Sequence, residues 1–249
     1  MIFVEIGAHY GQSSEIARNP KYGFREFWLF EPSSEPLKKL YAIKDPRYKI
    51  FPIGLGSKDF ETFLFEPGSK GASIFKKKFA SNSKILREKI LIKKASTILR
   101  PILVKHHVFL KINCEGSEIE ILSDLLDYGL LNSTHTILID FDYVRFNPNF
   151  SLVNILARLD RSGVSYYYGN AFGAEYSDQK VKRWLKYEIR SKTSNVSLID
   201  WYSFILKMHQ PLNRRIYLIL SSLIPINLRL PIYKVLSIFG IKNFLNYIK

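Results

Sequence analysis

The chain has 249 residues, 47% of them hydrophobic and 24% charged, enough to bury one α/β core with a small appendage. One cysteine excludes internal disulfides, and no Cys/His cluster has zinc spacing, so a reducing compartment and no metal site are expected. A formal net charge of +15 points to an anionic partner: a phosphorylated or acidic substrate, a membrane surface, or nucleic acid.

Residues 2–6 form a run rich in β-branched and aromatic side chains, as a buried strand should be. Met1 is followed at once by this core run, which predicts no signal peptide and a cytoplasmic location. Gly7 and Gly11 bracket a tight turn, and Ser13 or Ser14 is expected to cap a helix through Ile16 and Ala17. Strand, glycine turn and helix make the front edge of a nucleotide-type site, because glycine lets backbone approach a ligand closely and take positive φ. A βα turn without any ligand would carry the same glycines. The spacing Glu5-x-Gly7-x-x-x-Gly11 is not G-x-G-x-x-G, which argues against a nicotinamide or flavin enzyme.

Residues 26–30 read as a second strand ending in Phe30-Glu31-Pro32. Glu31 lies twenty residues past Gly11. A carboxylate at the end of the neighbouring strand can accept both hydrogen bonds of a ribose diol. Pro32 and the serines after it stop the strand, and a helix over about 35–43 follows, with Leu37, Leu40 and Tyr41 on one face. Residues 48–53 form a third strand before Gly54-Leu55-Gly56, and residues 60–65 alternate as an antiparallel strand or hairpin arm. Residues 67–73 read as a mobile loop. From Lys70 to Lys94 nine Lys/Arg face a single acid, Glu88. This stretch is either a solvated charged face or a loop that collects a phosphate or acidic glycan. Only Phe75 and Phe79 interleave, so the nucleic-acid signature is weak.

Residues 108–113 form a fourth strand, followed by Cys114-Glu115-Gly116 and a helix from Ser117 to about Leu126. Ser117 and Glu120 are expected to form a capping box, with Ile119, Leu122 and Leu126 as the buried stripe. Residues 136–141 make a fifth strand ending in Asp140-Phe-Asp142. A helix at 150–159 and strands at 163–168 and 195–199 follow. This alternation implies a parallel sheet covered on both faces. The tail from Trp201 has seven Lys/Arg and no acid, with apolar clusters broken by Pro225 and Pro231. It reads as two or three short basic amphipathic helices that lie on a membrane interface, cap the domain or form a dimer surface. Its longest uncharged run, 216–228, is below the roughly 18 residues that span a bilayer. The expected organisation is therefore a domain over 1–205 and a basic helical tail over 206–249.

Five motifs in order, from Phe3 to about Asp142, resemble the FkbM-type S-adenosylmethionine (SAM) methyltransferases. Phe3-Val-Glu-Ile-Gly-Ala-His-Tyr-Gly-Gln-Ser13 is similar to the opening D-[IV]-G-A-N-x-G-x-x-S, and Phe30-Glu31-Pro32 to the F-E-P after strand 2. Ile53-Gly-Leu-Gly56 with residues 60–65 resembles the A-[IL]-G segment and hairpin, and Gly71-Ala72-Ser73 the G-A-S loop. Leu110-Lys-Ile-Asn-Cys-Glu-Gly-Ser-Glu118 resembles L-K-I-D-V-E-G-x-E, the most specific of the set. Three positions depart. Glu5 replaces Asp and keeps the carboxylate, His9 stands where the family has Asn, and Asn113 stands where it usually has Asp. The last change removes a negative charge and weakens any scheme with a base or metal ligand at that position.

The resemblance implies a class I methyltransferase fold: Rossmann-like, doubly wound, with a mostly parallel sheet and here a basic helical C-terminal extension. It implies SAM as cofactor and methyl transfer to a hydroxyl of a sugar, glycolipid or related small molecule, which the net charge suggests is anionic. In the cofactor site, Gly7 and Ala8 would pack against the amino-acid end, with His9, Gly11 and Ser13 in the same turn and Glu5 orienting the ammonium. Glu31 and Pro32 would hold the ribose, and Gly54 and Leu55 would border the adenine. A hydroxyl acceptor is poorly nucleophilic, so a base is useful. Glu115 is the first candidate and Asp140 or Asp142 the next, with Asn113 and Lys111 beside them at strand ends. Glu115 could equally serve only the helix dipole. Lys111 is expected to point into or across the sheet and pair with a strand-5 carboxylate or with substrate. Two alternatives stand beside this: an RNA methyltransferase, which rests on charge alone, and an inactive SAM-binding protein, motivated by Asn113.

Overall fold

A computed structural model describes residues 1–76, 85–141, 152–168 and 177–190. Its central strands are buried along their whole length because alternate residues serve two different cores. In β1 (Ile2–Ile6), Ile2, Val4 and Ile6 turn to one face and Phe3 to the other. β7 (Val108–Ile112) repeats this, with Val108, Leu110 and Ile112 on the first face and Phe109 on the second. The other strands of this sheet are β2 (Glu26–Phe30), β3 (Tyr48–Phe51), β8 (Thr134–Ile139) and β9 (Ser165–Tyr168). All pairings are parallel, in the order β3-β2-β1-β7-β8-β9. The doubly wound parallel α/β fold expected from the sequence is thus the fold observed.

Helices α3 (Ala95–Leu103), α4 (Glu118–Asp127) and α5 (Leu152–Ser162) cover the Ile/Val/Leu face. On the opposite face lie α1 (Gln12–Ala17) and α6 (Ser177–Arg190). Trp184 of α6 is fully buried there against Phe3 and Phe109, and its indole N–H donates to Thr136 Oγ1 at 3.0 Å. Val181, Trp184, Leu185 and Glu188 recur at helical spacing, so α6, absent from the expected elements, carries a legible amphipathic signal.

A second, three-stranded sheet has the order β4-β6-β5, from β4 (Gly54–Gly56), β5 (Phe60–Phe65) and β6 (Arg87–Lys94). β5 runs antiparallel to β6, as its alternation suggests. The basic stretch holds a strand: Ile90 and Ile92 are buried with Leu64, while Arg87, Lys89 and Leu91 alternate outward. Its single acid, Glu88, accepts hydrogen bonds from Ser34 N–H at 3.0 Å and Ser33 Oγ at 3.2 Å, tying β6 to the start of α2 (Ser34–Tyr41).

Three local expectations are corrected. Tyr41 does not join Leu37 and Leu40 in the core; it is 57% exposed. Ser13 and Ser14 lie inside α1, whose N-cap is Gly11 at φ 77°. Ser117 does precede α4, but it makes no side-chain capping bond. The strand expected at 195–199, Asp142 and the tail lie outside the described residues. Among the described residues, no helix is long and apolar enough to cross a membrane.

Candidate functional site

Chain order around the sheet fixes where a ligand can bind. β1 leads outward to β2 and β3, and the chain then returns to β7 on the other side of β1. Loops leaving β1 and β7 therefore diverge, opening a crevice at their carboxyl ends, the general ligand position in open α/β sheets. A cavity of about 530 Å³ lies there. Glu5, Gly7, Ala8, His9, Ser13 and Glu31 line it. So do Pro32, Gly54, Leu55, Lys111, Asn113 and Glu115. Gly11 and Asp140, of the residues singled out in the sequence, do not. Asp140 is buried in an ion pair with Lys180 of α6 at 2.8 Å.

The floor is built by a pair of charges. Glu5 and Lys111 face each other in register on β1 and β7, 1% and 3% exposed, with Lys111 Nζ 3.2 Å from Glu5 Oε1. The other Glu5 oxygen accepts Ser14 N–H at 3.2 Å. That N–H is one of the unpaired donors in the first turn of α1, so the strand carboxylate takes the capping role expected of a serine. Lys111 does cross the sheet, but its partner is on β1 and not on strand β8.

Gly7 has φ 78°, and a Cβ placed on it would stand 1.9 Å from the Asn113 carbonyl oxygen. Its missing side chain lets the end of β7 close against β1, a constraint internal to the protein and separate from any ligand. His9 takes φ 49°, in the left-handed region that Asn, Asp and His enter most readily among residues with a side chain. His9 Nε2 lies 3.1 Å from the Gly68 carbonyl oxygen and so carries the proton that bonds it, assigned from this contact.

Glu31 closes β2 at 7% exposure, and its oxygens accept the N–H groups of His9 and Ser33, each at 2.8 Å. Burial pushes its carboxyl up to about 7 from 4.5, with the two N–H donors opposing and the Glu5 and Glu88 charges adding to the rise. Beside it, Gly54 and Leu55 of β4 meet the apolar wall of Leu64, Ile90 and Ile92.

The far wall is the loop after β7. Glu115 takes φ 56° and Gly116 φ 128°. Buried Glu118 holds this turn, accepting Cys114 N–H at 2.8 Å and Gly116 N–H at 3.0 Å. Glu118 ends the L-K-I-N-C-E-G-S-E motif, which is the signal that could have revealed it. Ser73 of the G-A-S segment, 1% exposed, donates from Oγ to the Glu115 carbonyl at 2.7 Å. Gly68 N–H donates to Ser33 Oγ at 3.0 Å. The segment read as a mobile loop is thus tied to three walls of the cavity. Glu118→Ala strands two N–H donors and should cost about 1–3 kcal/mol in urea denaturation. Glu120→Ala, at the position expected to complete a capping box, should change little. Equal losses from the two variants would refute this account of the turn.

Fold and site define a doubly wound α/β protein with a ligand cavity at its switch point, lined by Glu5, Glu31 and Glu115 and by an apolar wall. No family model matches the chain, and no curated protein does. Among solved structures the chain is similar to methyltransferase FkbM from Methylobacillus flagellatus KT, at 19% identity and a TM-score of 0.32. The match covers 52% of this chain and 29% of that one, less than a third of its length, and carries no argument about function.

Proposed function

We propose that the chain is a SAM-dependent methyltransferase of the FkbM type, acting on a hydroxyl of a sugar, glycolipid or related metabolite. The observation that carries the reading is Glu31: a buried carboxylate at the end of β2, lining the switch-point cavity beside the Gly7 turn and the Gly54–Leu55 slot. These residues fit the cofactor. The remaining lone pairs of Glu31 suit a ribose diol, and the apolar side chains of Pro32, Leu55 and Ile92 in the lining suit an adenine. When bound, SAM supplies a methyl group on a sulfonium that departs as a neutral thioether.

The protein therefore has no leaving-group charge to stabilise, and its main work is alignment of the acceptor oxygen. Glu115 lines the cavity and is the carboxylate that would take the hydroxyl proton as the new C–O bond forms. Asp140 is held outside the cavity lining by Lys180, which leaves Glu115 as the better candidate. The thin supply of bases, with Asn113 neutral, favours one second reading: a protein that binds SAM without turnover. Calorimetric titration with SAM and S-adenosylhomocysteine tests both readings, since each requires binding. Folded protein that binds neither would overturn them together, and binding with methyl transfer to a sugar hydroxyl would separate the first from the second.

A further inference from the structure

Three adjacent strands end in one row. Ile6 pairs with Phe30 on one side and with Ile112 on the other. Glu31, Gly7 and Asn113 are therefore the first residues past the sheet on β2, β1 and β7. Neighbouring strands lie about 4.8 Å apart, so Asn113 stands roughly 10 Å across the row from Glu31. With a ribose diol at Glu31 and the adenine in the Leu55 slot, the amino-acid end of the cofactor extends toward Asn113. The chain from the diol through C5′ and sulfur to the α-ammonium group spans a distance of that order.

Two acceptors compete for that ammonium. Glu5 is the candidate by sequence position and also lines the cavity, but it is 1% exposed and its charge is already matched by Lys111, with Ser14 N–H on its second oxygen. Asn113 lines the cavity, and its Oδ1 has neither solvent contact nor a hydrogen-bond partner. We propose that Asn113 Oδ1, and not Glu5, receives the α-ammonium group of the cofactor. This rests on the methyltransferase reading. Turning the amide toward the cavity gives up no hydrogen bond at that oxygen and gains one with a charged donor, the stronger kind. A neutral side chain also suits a floor where Glu5 and Lys111 already cancel. An Asp here would add a third buried charge to the unliganded protein.

The test compares S-adenosylhomocysteine with 5′-methylthioadenosine, which keeps the adenosine and the sulfur but has no amino acid. Both are titrated calorimetrically into full-length wild type, Asn113→Ala and Asn113→Asp. Asn113→Ala should bind S-adenosylhomocysteine about tenfold more weakly or worse, with methylthioadenosine unchanged. Asn113→Asp, which keeps an oxygen in place, should retain the binding. The thermal midpoint of unliganded Asn113→Ala should stay close to that of wild type, because the oxygen it removes makes no hydrogen bond. Unchanged S-adenosylhomocysteine binding in Asn113→Ala, or equal losses for the two ligands, overturns the assignment alone. Wild type that binds neither ligand overturns the methyltransferase reading and the assignment with it.

Discussion

Lys111→Met should cost about 3–5 kcal/mol of folding stability, the usual penalty for removing one partner of a buried ion pair. The Met side chain fills much of the same volume, so the loss comes from Glu5, left charged at 1% exposure with Ser14 N–H as its remaining partner. One further measurement separates this from poor packing. Adding Glu5→Gln to Lys111→Met should recover stability, since two neutral side chains leave no charge to desolvate. A double variant as unstable as the sum of its parts would show that the two residues are not coupled. The pair matters to the site because Glu5 holds the first turn of α1, and that turn with Gly7 shapes the cavity wall.

Glu31→Gln should change both the pH dependence of stability and the affinity for cofactor. In the folded protein the Glu31 carboxyl titrates at about 7, above its ordinary 4.5, because burial outweighs the two N–H donors. Folding therefore favours the protonated form. The stability this provides is fully present below pH 4.5 and is lost as pH rises to about 7, beyond which nothing further changes. The difference corresponds to at most about 3 kcal/mol. Glu31→Gln cannot ionise, so its denaturation midpoint should be flat across this window where that of wild type falls. A ribose diol donates two hydrogen bonds and so favours the ionised carboxylate. On the proposed methyltransferase reading, SAM should then bind wild type more tightly as pH rises through about 7, with a proton released. Above that pH the variant should bind about 10–100-fold more weakly, the value of a hydrogen bond to a charged acceptor. Gln is a gentler probe than Ala, because its amide oxygen can still accept one of the two N–H groups of His9 and Ser33. Wild-type affinity that does not vary with pH, or equal affinities in the two proteins, would remove Glu31 from the ribose site.

Sequence alone determined the elements whose pattern is local. The apolar runs of β1, β2, β7 and β8 and the turn glycines after β1 were legible. So was the heptad-like stripe of α4, because strand burial and helix periodicity are written in consecutive residues. Most residues proposed for the cavity were legible too, since parallel strands deliver their carboxyl ends to one edge. β6 was hidden because its lysines dominate the composition, although Ile90 and Ile92 keep a period of two beneath them. Tertiary structure alone decided the partners. Lys111 could have met a carboxylate on either neighbouring strand, and the register of β1 against β7 selects Glu5. Asp140 went to Lys180 because α6 returns over β8, a contact between residues forty apart in the chain. The serine expected to cap α1 lost that role to Glu5, whose buried charge takes the Ser14 N–H, while the buried Ser14 hydroxyl donates to the Gly11 carbonyl. Before α4, buried Glu118 takes the N–H groups of Cys114 and Gly116 in the preceding turn. Pairing of polar groups is settled by which of them are buried together, and that depends on packing between segments far apart in sequence.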